Sequence, residues 1–284
     1  MKVKGSFRGR RLLPALGLLL FLLIFLATFA ATLSPDIVLS PLRTALRNRG
    51  IALEGGTARI ALPFSMTISH PLLGTAGGPL VPLDSFRIGW EPTGLLTWLP
   101  GHVRVTKGSS AFDLRTSPAA WNPSRVRLRL TDIRSEELSS VLPLGQDVGF
   151  AVREADIRWS RSGGSLAGRG TAELDLLRIP IPAAGSPVRE AVLRNVSIKL
   201  AVRGEDLHVT SLTGIYEDAQ VDGTGVIARF LTPSRATITF HLRIVNPLEG
   251  RVATLFNMLS KNARNANLRV TGPLLSPAGE FQFF

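Results

Sequence analysis

The sequence predicts a mainly β protein: a curved or rolled antiparallel sheet with a few short capping helices, preceded by one transmembrane helix. Three observations carry this expectation. From residue 51 onward apolar and polar side chains alternate with the period of a strand. Gly, Pro, Asn and Asp break that pattern roughly every ten residues, the spacing of short antiparallel strands. Residues 12–33 are 22 consecutive positions without a charge.

As a helix rising about 1.5 Å per residue, that uncharged run reaches ~33 Å, enough to cross a hydrocarbon core of ~30 Å. A secretory signal also begins with cations and an apolar stretch, but its apolar part is usually ~7–15 residues. The longer run, and the lack of a clean small-x-small cleavage site in residues 26–32, favour an uncleaved anchor. Lys2, Lys4, Arg8, Arg10 and Arg11 precede the anchor, and the first acidic residue is Asp36. Cations flanking a span hold their side in the cytoplasm, so everything after residue 33 is expected on the far side. The expected organisation is a basic tail over residues 1–11, a transmembrane helix over 12–33, a juxtamembrane helix over 34–50 and a β-rich domain over 51–284.

Within this frame, Ser34, Pro35 and Asp36 supply a helix start, and Ile37, Leu39, Leu42, Ala45 and Leu46 recur at helical spacing until Arg49 and Gly50 end the run. Strands are expected at 58–62, 65–69, 83–90, 103–107, 110–115, 125–130, 150–160, 165–177, 192–202, 206–212, 220–229, 235–244, 266–271 and 280–284. The run Arg125, Val126, Arg127, Leu128, Arg129, Leu130 sends guanidinium groups to one face and aliphatic groups to the other, so one side of that sheet is wet. Residues 237–244 repeat the alternation, with Ile238, Phe240, Leu242 and Ile244 on the apolar side. Short helices are expected at 94–99, at 135–142, where Ser135 can cap and Glu136 and Glu137 meet the positive helix end, and at 248–259, where Leu248, Val252, Leu255, Phe256 and Leu259 form one stripe. The stretch 180–187, with three prolines, is the expected surface loop or internal joint.

Composition narrows the chemistry. With 45% hydrophobic and 19% charged residues the chain can pack a core. Its 33 cations exceed 21 acidic residues, and the excess after the tail is dispersed among short segments, which argues against nucleic acid as a partner. The absence of Cys removes disulfides, thiolate nucleophiles and thiolate metal sites. His70, His102, His208 and His241 show no metal-ligand spacing. Gly163, Gly164, Ser165, Leu166 and Ala167 approach a nucleophile elbow but carry Ala where the second Gly belongs, and read as a hairpin turn. Residues 164–170 lack the Lys-Ser/Thr of a phosphate loop. Asn195, Val196 and Ser197 match a glycosylation acceptor, a pattern short enough to arise by chance. Asp113 or Asp132 with Asp156 are candidate paired carboxylates that spacing alone does not bring together. No catalytic, cofactor-binding or metal-ligating residue is assigned, no cofactor is expected, and the expectation is a protein that is not an enzyme.

The order of features resembles the type II secretion system protein N (GspN) family, in its short form, and the wider AsmA-like and TamB-like envelope proteins. The residues carrying the resemblance are Gly56, Thr57, Ala58, Arg59 and Ile60, the segment Leu95, Leu96, Thr97, Trp98, Leu99, Pro100, Gly101 between two strands, the Gly-rich hairpin, and the ending Asn267, Leu268, Arg269, Val270, Thr271, Gly272, Pro273, Leu274, Leu275, Ser276, Pro277. The resemblance spans essentially the whole chain and implies an inner-membrane protein of a Gram-negative cell, with its β domain in the periplasm. It further implies an accessory part of the secretion machinery, with other secretion components and the inner membrane as partners. It carries no catalytic residues. The wider group adds an alternative, a lipid-binding or lipid-transfer module with an apolar concave face lined by residues such as Val126, Leu128 and Leu130. A third class, an envelope hydrolase, would need a carboxylate pair or metal site that the sequence does not display.

The topology has a direct test. Alkaline phosphatase fused after residue 284 is expected to be active and the same enzyme fused after residue 11 inactive, since it folds only outside the cytoplasm; the reverse pattern would refute the charge argument.

Overall fold

The computed structural model describes residue 28 and residues 34–283, apart from 49, 62–64, 76–77, 92–93, 95–97, 119–123, 139–147, 163–164, 182–189, 231, 233–234, 248, 260–264 and 275. The expected tail 1–11 and, except for residue 28, the expected span 12–33 lie outside the described residues. Among those described, no helix is long and apolar enough to cross a membrane.

Helix α1 (Pro35–Arg47) comes first, with Pro35 in its opening turn where a missing N–H costs nothing. It is followed by β1 (Ile51–Ala61), β2 (Ser65–Thr75), β3 (Leu80–Pro82), β4 (Ser85–Trp90), β5 (Gly101–Lys107), β6 (Ser110–Thr116) and β7 (Arg125–Arg134). The single turn α2 (Ser135–Leu138) leads into β8 (Gly149–Ser162), β9 (Ser165–Pro180), β10 (Glu190–Arg203), β11 (Asp206–Tyr216), β12 (Ala219–Ala228) and β13 (Thr237–Val245). Helix α3 (Gly250–Leu259) precedes β14 (Asn265–Pro273) and β15 (Ala278–Phe283).

All these strands belong to one sheet. Each pairs antiparallel with its neighbour in sequence, except that β2 pairs with β4 while the short β3 sits beside β2 off the main path. The alternation therefore located the strands in order, and mostly understated their length. β1 starts at Ile51, well before the expected residue 58. Gly55 and Gly56 form an irregularity in the sheet: Gly55 pairs with Pro71 and Thr57 with Ser69, and the ladder steps over Gly56 and His70, both at positive φ (80° and 53°). Residues 182–187 of the expected loop or joint lie outside the described residues; on either side of them β9 and β10 pair from Pro180 and Glu190 down to Ala167 and Arg203. Ser135 opens α2, and its hydroxyl accepts the backbone N–H of Phe150 at 3.1 Å, tying α2 to β8. Of the helix expected at 94–99, residues 95–97 lie outside the described set, and Leu99 N–H closes the loop on Gly94 O at 2.8 Å.

Two clusters fill one face of the sheet. The smaller packs Leu39 of α1 on Leu53, Met66, Ile68 and Phe86. The larger runs from β8 to β14 and takes in Val252 and Phe256 of α3, the described part of the stripe expected at 248–259. Leu193, Leu212, Leu242, Ile244 and Leu268 are almost wholly enclosed there, each contributing about 1.5–3 kcal/mol by leaving water. The far strand bends back toward this cluster: a Cβ built on Gly279 of β15 would lie 3.3 Å from Ile181 Cγ1 and 3.5 Å from Ile179 Cγ2, beside the end of β9. β9 and β15 are not hydrogen-bonded neighbours, so the sheet stays open.

Inward bending crowds the apolar face, and glycines relieve it. Gly225 pairs with Phe240 across β12 and β13, and a Cβ at 225 would overlap the Phe240 ring and approach Thr239 O to 2.6 Å. Gly168 faces Trp159 in the same way. Replacing Gly225 by Val is expected to destabilise the domain by about 2 kcal/mol through overpacking, with Phe240→Leu recovering part of the loss in the double variant; thermal melts of the four proteins give the coupling directly. Additive losses would mean the two side chains do not meet.

Candidate functional site

The outward face of β5–β9 carries the chain's densest chemistry. Cross-strand pairing aligns Arg104, Asp113, Arg129 and Asp156 in one row, and His102, Arg115, Arg127, Arg158 and Arg169 in the next. Rows of like charge repel unless carboxylates interleave, and they do. Arg127 Nε donates to Asp156 Oδ1 at 3.0 Å, and Arg158 Nη2 to Asp156 Oδ2 at 2.9 Å. Arg129 Nε reaches Glu154 Oε1 at 3.0 Å, and Arg153 Nε reaches Asp175 Oδ1 at 2.8 Å. The exposed pairs are each worth under about 1 kcal/mol, whereas Asp156, shared by two guanidiniums and largely covered, matters more. Burial alone would raise the Asp156 carboxyl; the hydrogen bonds and charges of Arg127 and Arg158 outweigh it and hold its pKa well below the ordinary value.

One member of this lattice is buried. His102 has only 4% of its side chain exposed, with Nδ1 3.1 Å from Glu91 Oε1 and Nε2 3.2 Å from Asp113 Oδ2. Arg115 completes the group, with Nη2 3.5 Å from Glu91 and Nε 3.4 Å from Asp113. Burial would raise Asp113, and His102 and Arg115 together reverse that and lower it. With both ring nitrogens engaged and both acids paired to cations, the group is built to hold strands β4–β6 together across the Trp90–Gly101 turn. It leaves no free base or nucleophile.

On the inward face the same strands present an apolar strip. Val103, Leu114, Leu128 and Ile157 follow one another across β5–β8, and Val105, Phe112, Leu130 and Ala155 lie one step along. Ala155 and Ile157 are buried, and Val103 and Val105 pack against the smaller cluster. Phe112, Leu114, Leu128 and Leu130 are half-buried and belong to neither cluster. They occupy the stretch between the two filled parts of the inner face.

The sequence candidates fall out as follows. Asp113 and Asp156 lie in one row but with Arg129 between them, so they are separated acids, each with its own cations. Asp132 sits at positive φ (51°) near the end of β7, where its carbonyl accepts the Ser110 hydroxyl at 2.6 Å. His70 occupies the β2 irregularity and is exposed. His208 and His241 line one shallow hollow of about 360 Å³ with Arg203, Thr210, Thr224 and Thr239. Val126, Ile238, Leu242 and Ile244 are core, whereas Leu128 and Leu130 belong to the half-buried strip. Asn195 falls where the β10 pairing shifts, at positive φ (50°). Residues 163–164 are outside the described set, but Ser162 and Ser165 pair on either side of them. Among the described residues, no group of three His, Asp or Glu side chains is placed to hold a metal ion. Reasoning from sequence missed the His102, Glu91, Asp113 and Arg115 group. The signal was present: a two-residue turn at 108–109 sets His102 opposite Arg115.

The described residues thus define a class, a single open antiparallel meander with one apolar and one charge-paired face. No known protein family, curated protein or solved structure matches the chain.

The Asp156 site predicts an acid-sensitive contribution. Its folded pKa lies below its unfolded value near 3.8, so its stabilisation is fully present above about pH 4 and is lost as the pH falls through the lower folded value. Asp156→Asn should therefore melt below the parent at pH 7, with the gap closing in acid. A gap independent of pH would deny the ion pairs their role.

Proposed function

We propose that the protein is a non-enzymatic component of the type II protein secretion system, anchored in the inner membrane of a Gram-negative cell by residues 12–33. Its rolled sheet stands in the periplasm as an accessory scaffold. The observation that carries this reading is the organisation of the described chain: one meander, helix α1 leading straight into it, and polar groups spent on each other in ion pairs. Of the residues that carry the resemblance, Gly101 opens β5, the Gly-rich hairpin joins β8 to β9, and residues 267–273 lie in β14. A scaffold acts through surfaces and strand edges. Among the described residues β1 pairs only with β2, and β15 only with β14.

A second reading has its own observation. The half-buried strip of Phe112, Leu114, Leu128 and Leu130 supports an AsmA-like lipid-binding or lipid-transfer role, because an acyl chain laid on it would bury apolar surface that the sheet leaves part-exposed.

Affinity purification of the tagged full chain from its native membranes separates the two. Enrichment of other secretion components supports the scaffold; their absence from every preparation would overturn it. Lipid mass spectrometry on the same material tests the second reading. Leu114→Asp is expected to reduce bound lipid several-fold if the strip holds acyl chains, since a charge there is expensive to bury, and unchanged lipid would refute it.

A further inference from the structure

The three most exposed large hydrophobic side chains among the described residues are Trp98 (65%), Ile37 (63%) and Trp90 (43%). A large apolar side chain in water is unremarkable singly, but two tryptophans at one rim, with Ile37 on the helix directed toward it, need a reason. Their positions follow from the topology. Trp90 closes β4, paired with Gly101, at the same end of the sheet as the β1–β2 turn, because Ser65 pairs with both Ala61 and Gly89. Trp98 lies in the loop between β4 and β5, at that end as well.

Ile37 is brought there by the direction of α1. The helix ends beside the start of β1, with Gly50 N–H donating to Arg47 O at 2.9 Å. It then lies along β1, where Arg43 Nη2 reaches Gly55 O at 3.0 Å, part-way down the strand. A helix joined to the beginning of a strand and packed along it runs antiparallel to it. Its first turn, with Ile37, therefore points toward the end of β1, the rim that carries the two tryptophans. Trp90 also shares the face of Phe86 and Ile88, the face against which Leu39, Leu42 and Leu46 pack.

Described backbone hydrogen bonds flank Trp98. Glu91 N–H donates to Pro100 O at 2.8 Å, Gly94 N–H to Glu91 O at 2.9 Å, and Leu99 N–H to Gly94 O at 2.8 Å, which closes the segment at its base. Trp98 itself is held at φ 57°, a left-handed conformation that costs a bulky residue energy and that surrounding structure must enforce. Arg59 and Arg125, both exposed, stand near this rim on β1 and β7. The opposite rim of β4–β7 is mixed, with Asp84, Glu136 and Glu137 beside Lys107 and Arg134.

What faces this rim is set by the chain before it. The uncharged run 12–33 ends two residues before α1 begins, so a bilayer holding that run lies at the α1 N-terminus. Tryptophan favours the membrane–water boundary, and arginine favours anionic headgroups beside it. We infer that Trp98, Trp90 and Ile37 seat the domain on the lipid interface, so that the β1–β5 rim rests against the anionic bilayer surface. This deepens the anchored reading and rests on it.

The test uses the full chain in nanodiscs of phosphatidylethanolamine and phosphatidylglycerol with brominated acyl chains, which quench tryptophan at short range. Trp121→Phe serves as the parent, leaving Trp90, Trp98 and Trp159, the last packed edge-on to Phe230 with ring centroids 6.1 Å apart. Trp98→Phe is expected to remove at least about half of the quenching and Trp90→Phe a smaller part, as interfacial placement requires. Phenylalanine keeps the apolar contact, and a thermal melt checks that each variant is folded. Quenching that neither substitution lowers would overturn the inference, as would tryptophans that brominated lipid leaves untouched. Carbonate washing of native membranes distinguishes the failures: a chain that washes off refutes the anchor, and a retained chain with unquenched Trp98 refutes the seating alone.

Discussion

Register is the constraint on which the rest of this structure depends. A slip of one residue in any strand would turn its apolar side chains outward and its arginines inward. Two-residue turns prevent it at several hairpins. Lys107 pairs with Ser110, Arg203 with Asp206, and Tyr216 with Ala219, with Gly108, Gly204 and Glu217 supplying the positive φ that such turns demand. Because almost every strand pairs with its sequence neighbour, these local turns set long-range order one hairpin at a time.

Fixed register has different results on the two faces. Inward, it stacks aliphatic residues into rows that fill the space from β8 to β14, and the glycines opposite Phe240 and Trp159 let large side chains cross where the sheet bends. Outward, it lays arginines beside one another on successive strands, an arrangement that holds only because Asp113, Glu154, Asp156 and Asp175 come into the same lattice. The half-buried strip at β6–β7 is where the first pattern is unfinished, and the exposed tryptophan rim is where a different solvent is inferred to complete it.

Much of this was legible in the residues. Alternation in 125–130 and 237–244 announced which side chains face inward, and Val252 and Phe256 announced the buried stripe of α3. The differences have physical causes. The strand expected from residue 58 extends back to Ile51 through Gly55 and Gly56, whose positive φ accommodates an irregularity that alternation does not display. Ser135 carries the signature of a cap, and its hydroxyl goes to Phe150 N–H, because a neighbouring strand offered a donor that spacing along the chain does not reveal.

By itself the sequence determined that the chain is mainly β, where most of its antiparallel strands fall, and which residues of runs such as 125–130 share a face, because these follow from periodicity and turn chemistry, which are local. Tertiary structure alone decided the order of the strands in the sheet, that His102 is gripped by Glu91 and Asp113, that Asp156 is shared by Arg127 and Arg158, and that α1 runs toward the rim that carries Trp90. Those outcomes depend on which strands pair, on side-chain reach across strands and on the direction in which α1 packs, and none of these is encoded in the spacing of residues along a single segment.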